Sequence, residues 1–358
     1  MKRLLTIVGA RPQFIKAAAI SHAIRDKYAD RISEDILHTG QHYDDAMSGR
    51  FFTELDLPLP TYNLGVGSGS HGHQTALMLS GIEEILLRER YDGLLIYGDT
   101  NSTLAGALAA SKLQVPVYHV EAGLRSFNRA MPEEVNRIVA DHVSTLLFAP
   151  THTAMQNLHS EGFTDSQAIF SGDVMLDNVL HYSPIALAAP HPSIPDTPFI
   201  LATVHRDFNT DHEHRLKTIL STLCTLADTH DTDILFPLHP RTRHRIESLN
   251  IGPLPERVRV VQPLSYLETL AALNRSWLVL TDSGGLQKEA YFCGRPCVIL
   301  RPETEWTEIV AAGAAILADA DADRITDAVA TLKTHRPTPP TQFGDGAASD
   351  IIVQKILD

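Results

Sequence analysis

The sequence predicts an α/β protein built from two similar doubly wound domains. Three observations carry that reading. At 358 residues the chain is longer than one hydrophobic core usually serves. Short apolar runs alternate with helix-spaced patterns almost throughout, as in a parallel sheet covered on both faces. That alternation breaks once, in a proline-rich stretch, and then restarts.

Taken in order, LLTIVG (4–9) reads as a buried strand, followed by a helix over 12–27. The N-terminus MKRLLTIVGARPQ has the outline of a signal peptide. Its apolar run is too short, however, and meets Arg11-Pro12. ISEDILHTG (32–40) is a second strand, and the residues over 73–90 place Leu79, Ile82 and Leu86 at helical spacing. LLIYG (94–98), VPVYHV (115–120) and STLLFAP (144–150) are strands. Helices over 100–113 and 132–143 separate them, and another follows Thr151. HYSPIALAAPHPSIPDTP (181–198) holds five prolines and reads as a hinge. The second half carries strands FILATV (199–204), DILFPL (233–238), RVRVV (257–261), WLVLT (277–281), PCVIL (296–300) and AAILA (314–318). A proline-rich stretch (335–346) precedes a last helix. The expected domains are therefore 1–180 and 181–346, with the helix at 347–358 after them.

Composition narrows the function. Apolar residues make up 44% and charged residues 20%, the balance of a soluble globular chain. The net charge of −13 argues against a non-specific nucleic-acid binder, while leaving room for a local basic pocket around a phosphorylated small molecule. No segment approaches the roughly 20 apolar residues that span a bilayer. The three cysteines form no CxxC pair, so reduced thiols in a cytoplasmic enzyme are expected. Cys293 and Cys297 read as small buried hydrophobes.

Charge collects at the strand ends, where ligands bind in such sheets. YGDTNST (97–103) puts Asp99 at a strand tip, and Glu121 stands at the tip after VPVYHV. Adjacent parallel strands lie about 4.8 Å apart, so the two carboxylates share a cleft if their strands pair. Two close carboxylates suit acid–base work, although Asp99 alone is also a plausible start to a helix. Glu133 and Glu134 follow Pro132, which by position is an ordinary helix start. Arg125 and Arg129 suit either an anionic ligand or internal ion pairs. GARPQFIK (9–16) adds Arg11 and Lys16 at the first strand tip.

The second half repeats the pattern. ATVHRDFNTD (202–211) ends a strand at His205-Arg206, and PLHPRTR (237–243) places His239 and Arg241 similarly, groups that grip phosphate. In TDSGGLQKEA (281–290), Ser283, Gly284 and Gly285 open a helix after a buried strand. Its free N–H groups suit a diphosphate. Glu289, one turn further on, can accept hydrogen bonds from ribose hydroxyls.

Two further patterns read as ordinary. GSGSHG (67–72) spells GxGxxG, yet it follows a proline-broken segment rather than a buried strand. A loop covering the substrate fits better than a dinucleotide site. His71/His73 and His212/His214 have HxH spacing without a third ligand, so no metal site is expected.

Together GARPQFIK, HTGQHYD, YGDTNST, HVEAGLRS, MPEEVNR, HRxxN, LHPRT and TDSGGLQKEA resemble one family, the non-hydrolysing UDP-N-acetylglucosamine 2-epimerases. The motifs occur in the family's order, from residue 1 to about 310. The resemblance implies two Rossmann-like domains of the GT-B type facing a central cleft, with the last helix crossing back to the first domain. It implies an isomerase acting on a UDP-sugar without metal or redox cofactor, commonly a homodimer, serving polysaccharide biosynthesis. A base removes the C2 proton while UDP leaves C1, giving 2-acetamidoglucal; UDP then adds back as C2 is protonated on the other face. The family's acid–base carboxylates fall on Asp99, Glu121 and Glu133, and the histidine supporting UDP departure falls on His205. Arg11 and Lys16 match cleft residues; Ser283, Gly285 and Glu289 match UDP contacts.

The sequence departs from the family at two places. Trp306, in ETEW, stands where well-known members carry arginine. The glutamine and arginine residues of substrate-activated members do not follow TGQHYDD, so that activation is not expected. Both departures suit a branch acting on a related sugar such as UDP-2,3-diacetamido-2,3-dideoxy-glucuronate. A hydrolysing epimerase, a glycosyltransferase of the same architecture and a nucleotide-sugar sensor are the rival readings.

Overall fold

Parallel strands sandwiched between helices must be apolar on both faces, and the first run shows it: Leu4, Leu5, Ile7 and Val8 of β1 (Lys2–Val8) have no solvent exposure. The computed structural model describes residues 1–41, 52–249, 251–337 and 341–358. These divide into two units, Met1–Asn178 with Thr341–Asp358, and Val179–Pro340. The HTGQHYD motif beyond Gln41 lies outside the described residues.

In the first unit β1 leads to α1 (Arg11–Ala23), β2 (Ile32–His38) and the two-residue β3 (Tyr62–Asn63). Then come α2 (His71–Arg88), β4 (Gly93–Tyr97), α3 (Asn101–Lys112), β5 (Val117–Val120), α4 (Pro132–Val143), β6 (Leu146–Ala149), α5 (His152–Ser160) and β7 (Ala168–Phe170); α6 (Val174–Ala188) begins in this unit and ends in the second. The described strands form one parallel sheet in the order β3-β2-β1-β4-β5-β6-β7. Leu5, Ile7, Leu94 and Ile96 of the sheet pack on Met78, Ile82 and Ala105 of α2 and α3. Each fully buried aliphatic side chain contributes about 1.5–3 kcal/mol relative to exposure. Small residues let α3 lie close: a Cβ on Gly106 would sit 3.2 Å from Ile7 and Ile96.

The second unit runs β8 (Phe199–Thr203), α7 (Asp207–Thr210), α8 (Glu213–Thr229), β9 (Asp233–Pro237), α9 (Pro240–Ser248), β10 (Val258–Val261) and α10 (Tyr266–Arg275). It continues with β11 (Leu278–Thr281), α11 (Gly284–Phe292), β12 (Cys297–Ile299), α12 (Thr307–Ala311), β13 (Ala315–Leu317) and α13 (Ala322–Leu332). Its parallel sheet has the order β10-β9-β8-β11-β12-β13. The core sets Ile200, Phe236, Leu280 and Val298 against Leu216, Leu220 and Leu223 of α8 and Ile325 and Val329 of α13.

The final helix, α14 (Ala348–Leu357), packs on α1 within the first unit. Asp177 caps it, accepting from Ala348 N at 3.2 Å and Ser349 N at 2.8 Å, and Lys27 pairs with Asp350.

Both sheets reverse their winding at one place, between β1 and β4 in the first and between β8 and β11 in the second. The carboxyl ends flanking that reversal are where ligands bind in doubly wound sheets.

Two local readings are corrected, and two short strands go unread. The stretch read as a hinge from 181 is helical to Ala188, because Met175, Val179, Tyr182 and Ala186 form a buried stripe at helical spacing. Pro184 lies inside that helix; a proline removes one hydrogen bond but does not outweigh such a stripe. The first helix ends as an α-helix at Ala23 and continues as a wider π turn over Ile24–Tyr28. The short edge strands β3 and β7 carry too few residues for a period of two to show.

Candidate active site

In the first unit three strand ends converge on Gly98. Strands β4 and β5 pair in parallel, Tyr97 beside Val120, so Asp99 and Glu121 stand at neighbouring tips. Gly98 has φ +61 and Glu121 φ +68, both left-handed. For Glu121, a non-glycine residue, that conformation costs of order 1–3 kcal/mol, the kind of strain that gathers at functional sites. Lys16, from α1, forms an ion pair with the Glu121 carboxylate, and both side chains are about nine-tenths buried. The pair lies over Gly98: a Cβ there would be 3.0 Å from Lys16 Nζ and 3.3 Å from Glu121 Oε1. Asp99 is paired with the buried Arg137 of α4, and its carbonyl accepts from Asn136 Nδ2 at 2.9 Å.

Gln13 ties the two strands flanking the switch point. Its Oε1 accepts from Gly9 N and Ala10 N at 2.9 and 3.1 Å, and its Nε2 donates to Tyr97 O and Thr103 Oγ1, each at 3.0 Å. Arg11, next to it, is exposed at the start of α1.

The adjacent glutamates of the PEE motif have separate fates. Glu134 is buried and accepts from Ser126 N, Ser126 Oγ and Phe127 N at 2.9 Å, fixing the loop before α4, and contacts Arg137 at 3.1 Å. Glu133 is half-buried and makes no hydrogen bond or ion pair among the described residues. Arg125 forms internal pairs with Asp141 at 2.7 Å and Glu161 at 2.6 Å.

In the second unit Asp282, wholly buried after β11, reaches across to the tip of β8. Its carboxylate accepts from His205 N at 3.1 Å, Arg206 N at 3.0 Å and Asn209 Nδ2 at 3.0 Å. His205 and His239 lie near one another, with ring centroids 6.4 Å apart. Burial holds the His205 imidazole below its usual value, outweighing the pull of Asp282; Arg206 and His239 add to the lowering. His239 caps α9, and Arg241 turns to Asp207 and Asp211.

Ser283 caps α11, which begins Gly284-Gly285. The N–H groups of these glycines meet no acceptor among the described residues, and the space beside Gly285 is open. A helix start of this kind binds phosphate oxygens through its N–H groups and dipole. Around it gather Arg301, held by both oxygens of Glu305 at 3.0 Å, and the indole of Trp306, each about 3.8 Å from a Cβ placed on Gly284. The Lys288 ammonium, buried, lies 4.0 Å from the centre of the Trp306 ring. Glu289 is buried on the same helix.

Gln13, Arg137, Asp282, Lys288 and Arg301 are the residues that strand-tip reading passes over. Each lies inside a motif already singled out or just beyond one; Gln13, Arg137, Asp282 and Lys288 meet partners distant in sequence, and Arg301 meets Glu305 one turn on. The three cysteines are free; burial pushes the Cys293 thiol up to about 12 and raises Cys224 and Cys297 as well. A cavity of about 1100 Å³ in the second unit, lined by Asp231, Arg257, Trp277 and Lys333, lies at the amino ends of its strands. That is the end opposite His205 and Ser283, so this hollow is not the site of chemistry.

Carboxylates stand at neighbouring strand tips in one doubly wound unit, and a helix begins with free N–H groups in the other. The family model for UDP-N-acetylglucosamine 2-epimerase matches residues 25–357. A Pseudomonas aeruginosa UDP-2,3-diacetamido-2,3-dideoxy-D-glucuronate 2-epimerase is 48% identical over 360 residues, covering 98% of each chain. Among solved structures, the Methanocaldococcus jannaschii UDP-GlcNAc 2-epimerase, in complex with UDP-GlcNAc and UDP, is similar with TM-score 0.89 and 40% identity, covering 98% of each chain. The Neisseria meningitidis UDP-GlcNAc 2-epimerase bound to UDP-GlcNAc gives TM-score 0.90 and 30% identity, covering 99% of each. The chain belongs to the UDP-N-acetylglucosamine 2-epimerase family, with that family's GT-B type fold, and is an isomerase. Among the described residues no helix is long and apolar enough to cross a membrane.

Proposed function

We propose that this protein interconverts UDP-GlcNAc and UDP-ManNAc by elimination and re-addition of UDP. Asp99, Glu121 and Glu133 exchange the C2 proton. One carboxylate accepts it as the C1–O bond to UDP breaks, giving 2-acetamidoglucal. A proton then returns to the other face of C2 as UDP rebinds C1. The free N–H groups of Gly284 and Gly285, with His205, Arg206 and His239, hold the departing diphosphate, and Glu289 holds the ribose. Arg11 and Lys16 complete the cationic groups. A sugar C2–H is a weak acid, so much of the barrier falls to electrostatic stabilisation of the leaving group. The observation that carries this reading is the left-handed Glu121, ion-paired to Lys16 beside Asp99 at neighbouring strand tips.

Incubation with UDP-GlcNAc in D2O tests it: proton NMR is expected to show UDP-ManNAc carrying deuterium at C2. Free ManNAc with stoichiometric UDP would mean hydrolysis instead. No C2 exchange with any UDP-HexNAc would end the assignment.

A second reading has its own support, since Trp306 and the 48% identical relative suit UDP-2,3-diacetamido-2,3-dideoxy-D-glucuronate as substrate. Parallel exchange assays decide, the substrate with the larger kcat/KM being the physiological one. We also infer a homodimer acting in the cytoplasm and supplying polysaccharide biosynthesis, an expectation from the family resemblance; light scattering of the purified chain checks the dimer.

A further inference from the structure

Beneath the strand tips lies a buried histidine–aspartate couple for which the reaction has no direct use. His119 and Asp141 have no solvent exposure. His119 Nδ1 is 2.7 Å from Asp141 Oδ1, and its Nε2 is 2.7 Å from the carbonyl oxygen of Gly98. Both partners are acceptors. A neutral imidazole has one N–H and can donate to only one of them, so both bonds form only when both nitrogens carry hydrogen.

The surroundings suit that charge. The other oxygen of Asp141 accepts from Gly123 N at 3.1 Å and contacts Arg125 at 2.7 Å; Arg125 in turn pairs with Glu161, which meets His142 at 3.1 Å. With His119 cationic, it and Arg125 balance Asp141 and Glu161. On the far side of Gly98 the facing charges are Lys16 and Glu121, with Asp99 and Arg137 beside them.

Gly98 is the hub. Its N–H donates to Val120 O at 3.0 Å, its α-carbon lies under the Lys16–Glu121 pair, and its carbonyl is held by His119. In a trans peptide the next N–H points opposite to the carbonyl. The Asp99 N–H therefore points away from the buried couple, and it meets no acceptor among the described residues. Through Gly98 the couple fixes the residue before Asp99; through Gly123 it fixes the chain just after Glu121. If stability alone were served, a buried charged couple would be a costly way to tie a strand tip, because apolar residues of similar volume often do as well.

We propose that His119 and Asp141 are positioning residues for proton transfer, locking the Gly98–Asp99 peptide so that Asp99 and Glu121 hold one geometry. The inference rests on the reading of those carboxylates as the proton-transfer groups.

The test compares H119L, H119Q and D141N with the wild type in the C2 exchange assay. Misplacing the carboxylates lowers kcat in H119L and D141N by on the order of 10²-fold, while KM and UDP affinity stay near wild type. H119Q, which can still donate to Gly98, keeps more activity than H119L. Unchanged kcat in folded variants, or a loss matched by weaker UDP binding, would overturn the proposal. A second measurement holds even if the variants fail to fold: 15N NMR of the wild type under the assay conditions is expected to show hydrogen on both His119 nitrogens, as the two hydrogen bonds require. A single-N–H tautomer there would overturn it. Absence of C2 exchange in the wild type would sink the reading of the site instead, while the NMR result still judged the couple.

Discussion

Asp282 and His205 meet across the switch point of the second sheet, both Asp282 carboxylate oxygens lying 3.1 Å from the His205 backbone nitrogen. The carboxylate has no solvent exposure and also takes Arg206 N and Asn209 Nδ2. It thus shapes the turn that presents His205. Asp282→Ala leaves the His205 and Arg206 amides without an acceptor, at about 1–3 kcal/mol for a buried unsatisfied group. The expected outcome is a lower melting temperature and a kcat/KM reduced by roughly 10- to 100-fold, read by calorimetry and C2 exchange. A variant as stable and active as the wild type would remove Asp282 from this role.

Gly98 permits the close seat of Lys16 and Glu121. Gly98→Ala places a methyl 3.0 Å from Lys16 Nζ and imposes the left-handed penalty, about 1–2 kcal/mol for an L-residue. Exchange is expected to fall sharply while UDP binding, measured by calorimetric titration, persists. Equal loss of both would mean that the substitution damages the unit as a whole.

Glu34 gives a pH-dependent prediction away from the chemistry. It is half-buried by surface, with its carboxyl set inside the first unit and hydroxyls of Thr6 and Ser21 on its two oxygens. Burial pushes its carboxyl up, more than the two hydroxyls lower it. With the folded pKa above the unfolded one, the native state holds a proton that the unfolded chain releases. This contribution to stability is complete below about pH 4.5 and is lost as pH rises through the folded value, at no more than about 1.4 kcal/mol per pH unit. Glu34→Gln cannot ionise, so its advantage over the wild type grows with pH in that window. Urea midpoints measured across it check this; parallel curves would show that Glu34 is ionised in the fold.

Much of the architecture is legible in the sequence because parallel strands buried on both faces write themselves as apolar runs. LLTIVG and WLVLT need no partner to be recognised. β3 and β7 lack that length, and Pro184 speaks louder in the sequence than the buried stripe that overrides it. At the candidate site, strand-tip position alone singles out Asp99, Glu121 and His205 as candidates. The difference between Glu133 and Glu134 does not show in the sequence, since it depends on a loop folding back to Ser126 and Phe127. The ties made by Gln13, Arg137 and Asp282 escape for the same reason: each joins groups far apart in the chain.

The central claim is that Glu121 moves the C2 proton and does not merely shape the site. Glu121→Gln keeps the size of the side chain and removes its proton-accepting charge. Deuterium incorporation at C2 of the UDP-sugar, measured beside UDP affinity in the same preparation, tests the claim most directly. The account predicts nearly abolished incorporation with UDP still bound; wild-type incorporation by Glu121→Gln would contradict it.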